Sequence, residues 1–333
     1  MDSNLPRGGR RSIDKRPRYV VTGGAGFIGS HIAERLASSA HLVLFDNLRR
    51  NSLALSQVAE LPTVELVEGD IRDREAVFEV VHGADAVMHL AAIAGVSSYY
   101  NEPETTLRVN IEGTANVVDA VVSAGVERLL YLSTSEVHGP LANDVDEESP
   151  CAIGPSSDRR WVYATSKLAG EHLVLRGGET HEFAATVLRP FNVYGPRQTG
   201  EGAISNFCAA ASKGENLIVY GDGSAVRAWC YIDDFVDAAL LALDAPNAAG
   251  QIFNIGNPSA TAKTIELAHL VASLVPSAEV EFRGVSRAEV AYRTPVITKA
   301  RELLGFEPAV SLAEGLRHTL EWTRSTMLAE VSL

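Results

Sequence analysis

The glycine-rich turn within residues 20–29 constrains the fold of this chain more than any other part of its sequence. Residues 19–21 before it are Tyr-Val-Val, which favour a strand. After it, Ile28, Ile32 and Leu36 recur every four residues, as on one face of a helix. The order strand, tight turn, helix is the first half of a βαβ unit, so the sequence predicts an α/β fold with a parallel sheet.

Three glycines at a spacing of three residues make this turn suited to a dinucleotide. Gly23 permits the sharp turn, Gly26 leaves room for a pyrophosphate, and Gly29 lets the helix pack closely on the strand. The helix N-terminus, opened by Phe27 and Ile28, presents free N–H groups and the positive end of the helix dipole. We therefore expect these five residues to bind the cofactor. The alternative is a structural βαβ unit without a ligand.

An acidic residue about twenty positions downstream supports the dinucleotide interpretation. The apolar run 41–45 ends at Asp46, whose carboxylate is placed to bind a ribose 2′-hydroxyl, and Asn47 lies beside it. Arg49 and Arg50 follow and raise the question of a 2′-phosphate. Asp46 would repel that phosphate, so the sequence favours NAD over NADP.

The next two predicted strands also end in residues suited to a nucleotide. Asp70 and Ile71 follow the third strand, and Asp70 either accepts a hydrogen bond from adenine or, like Asp73, caps the following helix. The fourth strand, residues 86–90, ends in small residues that allow a ligand to approach closely. The residues expected at this strand end are Leu90, Ala91 and Ala92.

A long helix is predicted to begin at Pro103 and to end before Gly125. Its apolar residues recur at helical spacing and predict the stripe that faces the core. The residues of this stripe are Leu107, Ile111, Ala115, Val118 and Val122.

The fifth predicted strand, residues 128–132, runs directly into Ser133, Thr134, Ser135 and Glu136. The carboxyl ends of parallel strands line the ligand crevice, so these hydroxyls and this carboxylate lie where chemistry can take place. The alternative is that the hydroxyls bind local backbone and Glu136 is solvated.

Tyr163 and Lys167 are four residues apart and share one face of a predicted helix. A lysine ammonium beside a phenol favours the phenolate, as does a positive nicotinamide ring. Both are expected to lower the pKa of Tyr163 towards one useful for proton abstraction. An isolated pair of this kind is usually a surface pair, but here it follows a glycine turn and a Ser-Thr strand end.

The alternation of strands and helices stops near residue 190, after a sixth strand at residues 184–188. We therefore predict a doubly wound Rossmann domain at residues 18–190 and a smaller mixed α/β substrate domain at residues 191–333, with some chain crossing back. Residues 1–17 are basic and almost free of apolar side chains, which predicts a flexible tail.

The composition of the 333-residue chain is that of a soluble globular protein, with 46% hydrophobic and 21% charged residues. Its net charge of −13 argues against a nucleic-acid partner, and an anionic substrate would need local arginines. No apolar run is long enough to cross a bilayer. Cys151, Cys208 and Cys230 lack metal-ligand spacing, so a reduced, cytoplasmic protein without a metal site is expected.

Together these motifs resemble the extended short-chain dehydrogenase/reductases that act on nucleotide sugars, over about residues 18–325. The resemblance rests on residues 22–29, Ser133-Thr134, the Tyr163 and Lys167 pair, and the run Arg-Pro-Phe-Asn-Val-Tyr-Gly-Pro-Arg at residues 189–197. It implies a Rossmann domain, tightly bound NAD that is recycled in each turnover, and a homodimer packed through the Tyr163 helix and the preceding long helix.

Within this family the chain resembles UDP-glucuronic acid decarboxylases most closely. Residues 133–139 read Ser-Thr-Ser-Glu-Val-His-Gly, where those enzymes look like Ser-Thr-Ser-Glu-Val-Tyr-Gly, so His138 replaces a tyrosine. The resemblance implies that NAD oxidises C4 of UDP-glucuronic acid and that the resulting β-keto acid loses carbon dioxide. The product is UDP-xylose, its 4-keto precursor, or both.

The resemblance also implies a role for each candidate residue. The catalytic residues are Thr134, Ser135, Glu136, Tyr163 and Lys167, and Ser135 is expected to hydrogen-bond the carboxylate. The cofactor residues are Gly23, Gly26, Phe27, Ile28, Gly29, Asp46, Asn47, Asp70, Ile71, Leu90, Ala91, Ala92, Tyr163, Lys167 and Pro190. The substrate residues are Tyr99, Glu136, Asn192, Tyr220, Arg227 and Arg293.

Arg227 and Arg293 are expected to bind the diphosphate because guanidinium groups match phosphate oxygens and stay charged. The alternative for both is a solvated surface charge. Tyr220 is expected to stack on uracil, and its alternative is a core tyrosine. For the whole chain, the alternative functions are a nucleotide-sugar 4-epimerase or 4,6-dehydratase, and an NAD-sensing protein that has lost catalysis.

Overall fold

The structure, a computed structural model, describes residues 16–284 and 290–331. Its strands are β1 (Arg18–Thr22), β2 (His41–Asp46), β3 (Val64–Glu68), β4 (Ala86–His89), β5 (Arg128–Leu132), β6 (Ala142–Val145), β7 (Ala184–Pro190), β8 (Val193–Tyr194), β9 (Leu217–Tyr220), β10 (Val226–Ala228), β11 (Cys230–Tyr231), β12 (Gln251–Ile255), β13 (Thr261–Lys263), β14 (Val280–Arg283) and β15 (Tyr292–Pro295). Its helices are α1 (Phe27–Leu36), α2 (Arg74–Val81), α3 (Val96–Asn101), α4 (Pro103–Ala124), α5 (Val162–His181), α6 (Ala203–Lys213), α7 (Ile232–Asp244), α8 (Thr264–Leu274), α9 (Thr298–Leu304) and α10 (Leu312–Val331).

A seven-stranded sheet in the order β12-β7-β5-β4-β1-β2-β3 forms the centre of the molecule, and all of its neighbouring strands are parallel. One face of the sheet packs against α2, α4 and α5, and the other packs against α1 and α7. The strand order reverses between β1 and β4, which opens a crevice at their carboxyl ends. The predicted Rossmann fold class is confirmed.

The second half of the chain forms smaller sheets beside the carboxyl edge of the large one. A four-stranded sheet has the order β13-β10-β15-β6, and two strand pairs are formed by β11 with β8 and by β14 with β9. Two strands cross between the halves, because β12 joins the large sheet and β6 pairs with β15. The position of β12 agrees with the expectation that part of the chain after residue 190 crosses back into the first domain. The domain boundary at residue 190 remains a prediction.

The prediction that the apolar stripe of α4 faces the core is wrong for most of its residues. Only Val118 of the predicted stripe is buried, and the others are half-exposed. The helix instead buries a neighbouring face that includes three polar residues. Asn110 and Thr114 hydrogen-bond groups beneath the helix, and Thr106 binds the Glu102 carbonyl at its start. The buried residues are Thr106, Val109, Asn110, Gly113, Thr114, Val117, Val118, Ala120 and Val121.

The basic tail predicted at residues 1–17 lies almost entirely outside the described residues. Within the described ranges, the helices are too short or too polar to cross a membrane.

Candidate active site

The glycine turn brings backbone from two strands into close contact. Gly23 has a φ of +71°, and a Cβ there would lie 2.6 Å from the backbone nitrogen of Ala91. A Cβ on Gly29 would lie 2.4 Å from the carbonyl oxygen of Gly23. Side chains at these two positions would therefore push α1 away from β1 and close the crevice, so the local structure requires glycine at both.

A cavity of about 340 Å³ lies over this turn, and every residue predicted to bind the cofactor lines it. The Asp46 carboxylate at the end of β2 accepts hydrogen bonds from the backbone nitrogens of Leu48 at 2.8 Å and Ala25 at 3.1 Å. Burial raises the pKa of Asp46, and these backbone bonds oppose that change. The glycine cradle and the carboxylate fit the pyrophosphate and ribose of NAD.

Asp70 and Arg49, which line the cofactor cavity, have partners within the protein. Asp70 binds Arg72, which lowers the pKa of Asp70, and the cap of α2 is Asp73, whose carboxylate accepts from Ala76 at 3.2 Å. Arg49 forms an ion pair with Glu102. Since this pair occupies Arg49, a 2′-phosphate gains little from it, in agreement with the preference for NAD.

Tyr163 and Lys167 lie on α5 and line the cofactor cavity together with the glycine turn. The Thr134 side chain, just after β5, lies near the Tyr163 phenol and acts to lower its pKa. Helix α5 lies so close to β5 that a Cβ on Gly170 would be 2.0 Å from the hydroxyl of Tyr131. This packing brings the predicted base, its lysine and the threonine together.

The protein's own groups do not lower the pKa of Tyr163 as the sequence predicted. Burial raises this pKa, Glu136 raises it further, and the Thr134 side chain only partly opposes them. Burial also lowers the pKa of Lys167 to about 7, against the opposing effect of Glu171. The part of the expectation that rests on the protein's own groups fails because burial outweighs the nearby charges, and the part that rests on the nicotinamide ring remains a prediction.

Glu136 is held between two arginines at the catalytic end of a second cavity. Arg160 donates to its Oε2 at 2.6 Å, and Arg293 donates to its Oε1 at 3.2 Å. Burial alone would raise the pKa of Glu136, but Arg293 and Arg160 together hold it below its ordinary value. The alternative of a solvated Glu136 is wrong, since its side chain is 17% exposed.

The Arg160 guanidinium also donates to the Tyr99 hydroxyl at 3.0 Å. The Tyr99 ring is nearly parallel to that of Tyr163, with 6.5 Å between the ring centroids. Arg160, Glu136 and Tyr99 therefore form one hydrogen-bonded group beside the predicted base. Arg160 is not among the predicted site residues, although its position three residues before Tyr163 places it beside the catalytic helix.

The second cavity has a volume of about 750 Å³, and all six predicted substrate residues line it. It shares Gly95, Gln198 and Glu201 with the cofactor cavity, so the two are adjacent. Tyr220 is 59% exposed, and the alternative of a core tyrosine is wrong.

Arg227 and Arg293 are at most 9% exposed, and the alternative of solvated surface charges is wrong for both. Arg227 donates to the carbonyl oxygens of Val226 and Val290. The Nε and Nη2 atoms of Arg293 are buried and have no hydrogen-bond partner within the described part of the chain. Arg293 therefore has donors available for a ligand beside Glu136.

Thr134 and Ser135 are placed behind the cavities rather than on their walls. Thr134 reaches the site through Tyr163, and its hydroxyl also accepts from the backbone nitrogen of Glu136 at 3.2 Å. Ser135 is 3% exposed and is absent from the residues that line either cavity. The direct contact of Ser135 with a substrate carboxylate remains a prediction.

The chain is similar to known proteins over nearly its whole length. It is 34% identical to the UDP-N-acetyl-alpha-D-glucosaminuronate decarboxylase of Bacillus cytotoxicus, over 93% of this chain and 98% of that protein. It is 36% identical to UDP-glucuronic acid decarboxylase 3 of Arabidopsis thaliana, over 90% and 86%. Among solved structures, the dTDP-glucose 4,6-dehydratase of Streptomyces venezuelae with NAD bound matches with a TM-score of 0.85 and 30% identity, over 94% of this chain and 98% of that one.

The family match covers residues 19–256, which include the glycine turn, the Ser-Thr strand end and the Tyr163 helix. These residues are also those that form the cofactor cavity. The chain is an NAD-dependent enzyme that belongs to the NAD dependent epimerase/dehydratase family.

Proposed function

We propose that this enzyme decarboxylates UDP-glucuronic acid through a 4-keto intermediate and gives UDP-xylose, UDP-4-keto-pentose, or both. The observation that carries the proposal is the carboxylate of Glu136, buried between Arg160 and Arg293 next to Tyr163. The decarboxylase relatives support it. A sugar carboxylate needs cationic partners at this end of the cavity, and Arg293 has unpartnered donors there.

The first step is removal of the proton from the C4 hydroxyl of the sugar. Tyr163 takes this proton, Thr134 holds the phenol by a hydrogen bond, and Lys167 on the same helix face stabilises the phenolate. NAD in the cofactor cavity supplies the hydride acceptor for this oxidation and the positive charge that the protein's own groups lack.

Carbon dioxide then leaves because the C4 ketone accepts the electrons of the breaking C5–C6 bond. Return of the hydride and of the Tyr163 proton to C4 gives UDP-xylose, and release before this return gives UDP-4-keto-pentose. The step needs a group that orients the carboxylate and one that manages the proton that C5 gains. The arginines Arg160 and Arg293 suit the first task, and Glu136 suits the second. Asn192, Tyr220 and Arg227 line the remainder of the cavity, where we place the nucleotide and diphosphate.

The test is incubation of the enzyme and NAD with UDP-glucuronic acid, its 2-acetamido analogue, UDP-glucose and dTDP-glucose in separate reactions, followed by mass spectrometry. We expect loss of the mass of carbon dioxide from UDP-glucuronic acid. Loss of water from a neutral hexose would indicate a 4,6-dehydratase, and an isomer of unchanged mass would indicate a 4-epimerase. Decarboxylation of the 2-acetamido sugar alone would overturn the substrate assignment and keep the reaction.

We also propose that the enzyme is a cytoplasmic homodimer packed through α4 and α5. The half-exposed apolar residues Ile111, Val122 and Leu173 line one groove along these two helices, which supports the assembly. The three cysteines are free thiols, as expected of a protein in a reducing compartment.

A further inference from the structure

A buried ion pair lies directly behind the catalytic lysine. Arg189 on β7 donates to Glu171 on α5 through two nitrogens, Nε at 2.9 Å and Nη2 at 2.7 Å. Both side chains are 3% exposed. The Ser133 hydroxyl donates to the same carboxylate. Two charges and a hydroxyl are thus kept away from water, although neither charged residue lines the cofactor or the substrate cavity.

This pair joins the three elements that position the catalytic residues. Glu171 is one helical turn after Lys167 on α5, so both side chains lie on one face of the helix. Ser133 immediately precedes Thr134 at the end of β5. Arg189 lies on the neighbouring strand, where Leu188 is in register with Leu132. Movement of any of these elements would break a bond to Glu171.

Lys167 has few groups that stabilise its charge. Its Nζ lies 4.3 Å from the centre of the Tyr131 ring, a cation–π contact. Burial lowers the pKa of Lys167 to about 7, and Glu171 is the acidic group that opposes this. The charged and titratable groups that face Glu171 are Arg189, Lys167, Tyr131, His138 and Cys151.

We propose that Glu171 is a positioning residue of the reaction: Arg189 and Ser133 hold its carboxylate one helical turn from Lys167, where it supports the catalytic lysine. This inference rests on the proposed roles of Tyr163 and Lys167, and it is independent of which sugar is decarboxylated. It assigns a function to a residue one turn beyond the Tyr163 and Lys167 motif.

The experiment is a pH titration of the Tyr163 phenol in the NAD complex without a sugar. The tyrosinate absorbance of Tyr163 is obtained as the difference between each enzyme and its Tyr163→Phe counterpart. Without the Glu171 charge, Lys167 loses its proton at lower pH, and its support of the phenolate is lost. The Tyr163 midpoint in Glu171→Gln is therefore expected to rise by about one pH unit, a tenfold change in the ionisation constant.

Two variants separate charge from structure. Glu171→Asp keeps the carboxylate and is expected to titrate within a few tenths of a unit of the wild type. Thr186→Val removes a buried hydrogen bond to the Ala248 carbonyl from the same strand as Arg189 and is expected to leave the midpoint unchanged. An unshifted midpoint in folded Glu171→Gln overturns the inference, and so does an equal shift in Thr186→Val.

If Glu171→Gln leaves Arg189 unpaired and fails to fold, the double variant Glu171→Gln/Arg189→Met removes both charges and gives the same test. An upward shift in the double variant supports the inference, and a wild-type midpoint overturns it. Failure of the decarboxylase assignment would appear in the mass-spectrometric test and would leave this titration unchanged.

Discussion

At the residue scale, the chemistry depends on carboxylates that are buried together with guanidinium groups. Glu136 contacts two arginines at the substrate cavity, and Glu171 contacts one arginine behind it. A buried carboxylate without such a partner would be protonated near neutral pH, because burial favours the uncharged acid. The arginines thus determine whether Glu136 is ionised when the substrate arrives.

Replacement of Arg160 by methionine is expected to raise the pKa of Glu136, because one of its two cationic partners is lost. The acidic limb of the pH profile for carbon dioxide release should shift to higher pH. The kcat should fall about 10²-fold. Stopped assays over a range of pH measure both. Arg159→Met is the matched control, since the Arg159 guanidinium contacts the Tyr100 carbonyl. A wild-type profile for Arg160→Met would contradict the role given to this arginine.

Replacement of Tyr163 by phenylalanine should reduce kcat by about 10²–10⁴-fold, because the base for the C4 hydroxyl is removed. Affinity for the nucleotide sugar should change little, since most of the cavity is intact. Steady-state kinetics and calorimetric titration separate the two effects. Tyr19→Phe on β1, outside both cavities, serves as the control. Retention of more than a tenth of wild-type kcat would refute Tyr163 as the base.

Sequence reasoning identified many residues of the cofactor cavity because their motifs are local. The glycine spacing, the strand ends and the Tyr163 pair each lie within a few residues of one another. It could not identify the Glu136 contacts with Arg160 and Arg293, which join positions 24 and 157 residues apart. It also misjudged the effect of the protein's own groups on the pKa of Tyr163, because the extent of burial follows from packing and not from spacing.

At the element scale, α4 packs one face on the core and leaves its apolar stripe half-exposed. The buried face includes Asn110, whose side-chain amide donates to the Ile93 carbonyl while its oxygen accepts from the Ile93 backbone nitrogen. The apolar stripe at Ile111 and Val122 is left half-exposed. Helical periodicity detects apolar stripes, but it does not distinguish a core face from an interface, which is why the stripe was assigned to the core.

A charge on this surface should separate the subunits. Leu173→Glu places a carboxylate in the groove between α4 and α5 and is expected to convert the dimer to a monomer, as measured by analytical ultracentrifugation. Leu274→Glu on α8, where the leucine is 38% exposed, should leave the assembly unchanged. A Leu173→Glu protein that sediments as a dimer would place the interface elsewhere.

At the scale of the whole molecule, buried histidines connect stability to pH. Burial lowers the pKa of His89 to about 3 and that of His138 to about 4, and both side chains are fully buried. In the unfolded chain these imidazoles take up protons near their ordinary pKa, whereas in the folded chain they stay neutral. The unfolded state therefore binds more protons between about pH 6.5 and pH 4, and stability falls as pH falls through this window.

The variant His138→Leu should lose part of this pH dependence. The free energy of unfolding of the wild type is expected to decrease by about 1.4 kcal/mol per pH unit for each buried histidine below about pH 6. Denaturant unfolding at several pH values measures the slope, which should be shallower in the variant. Equal slopes would show that His138 is not a buried neutral group in solution.

The two crossing strands have a consequence for exchanging parts between relatives. A chimera cut at residue 190 would remove β12 and α7 from the cofactor half and leave β7 as an open sheet margin. A viable chimera has to keep residues 232–255, which contain α7 and β12, from the host protein that supplies the cofactor half. The segments before and after these residues can then come from the donor relative. The chimera also has to preserve the pairing of β15 with β6, in which Arg293 lies in register with Ala142. In the chimera this pairing would join a donor strand to a host strand. New sugar specificity in this protein is therefore best introduced as two separate insertions.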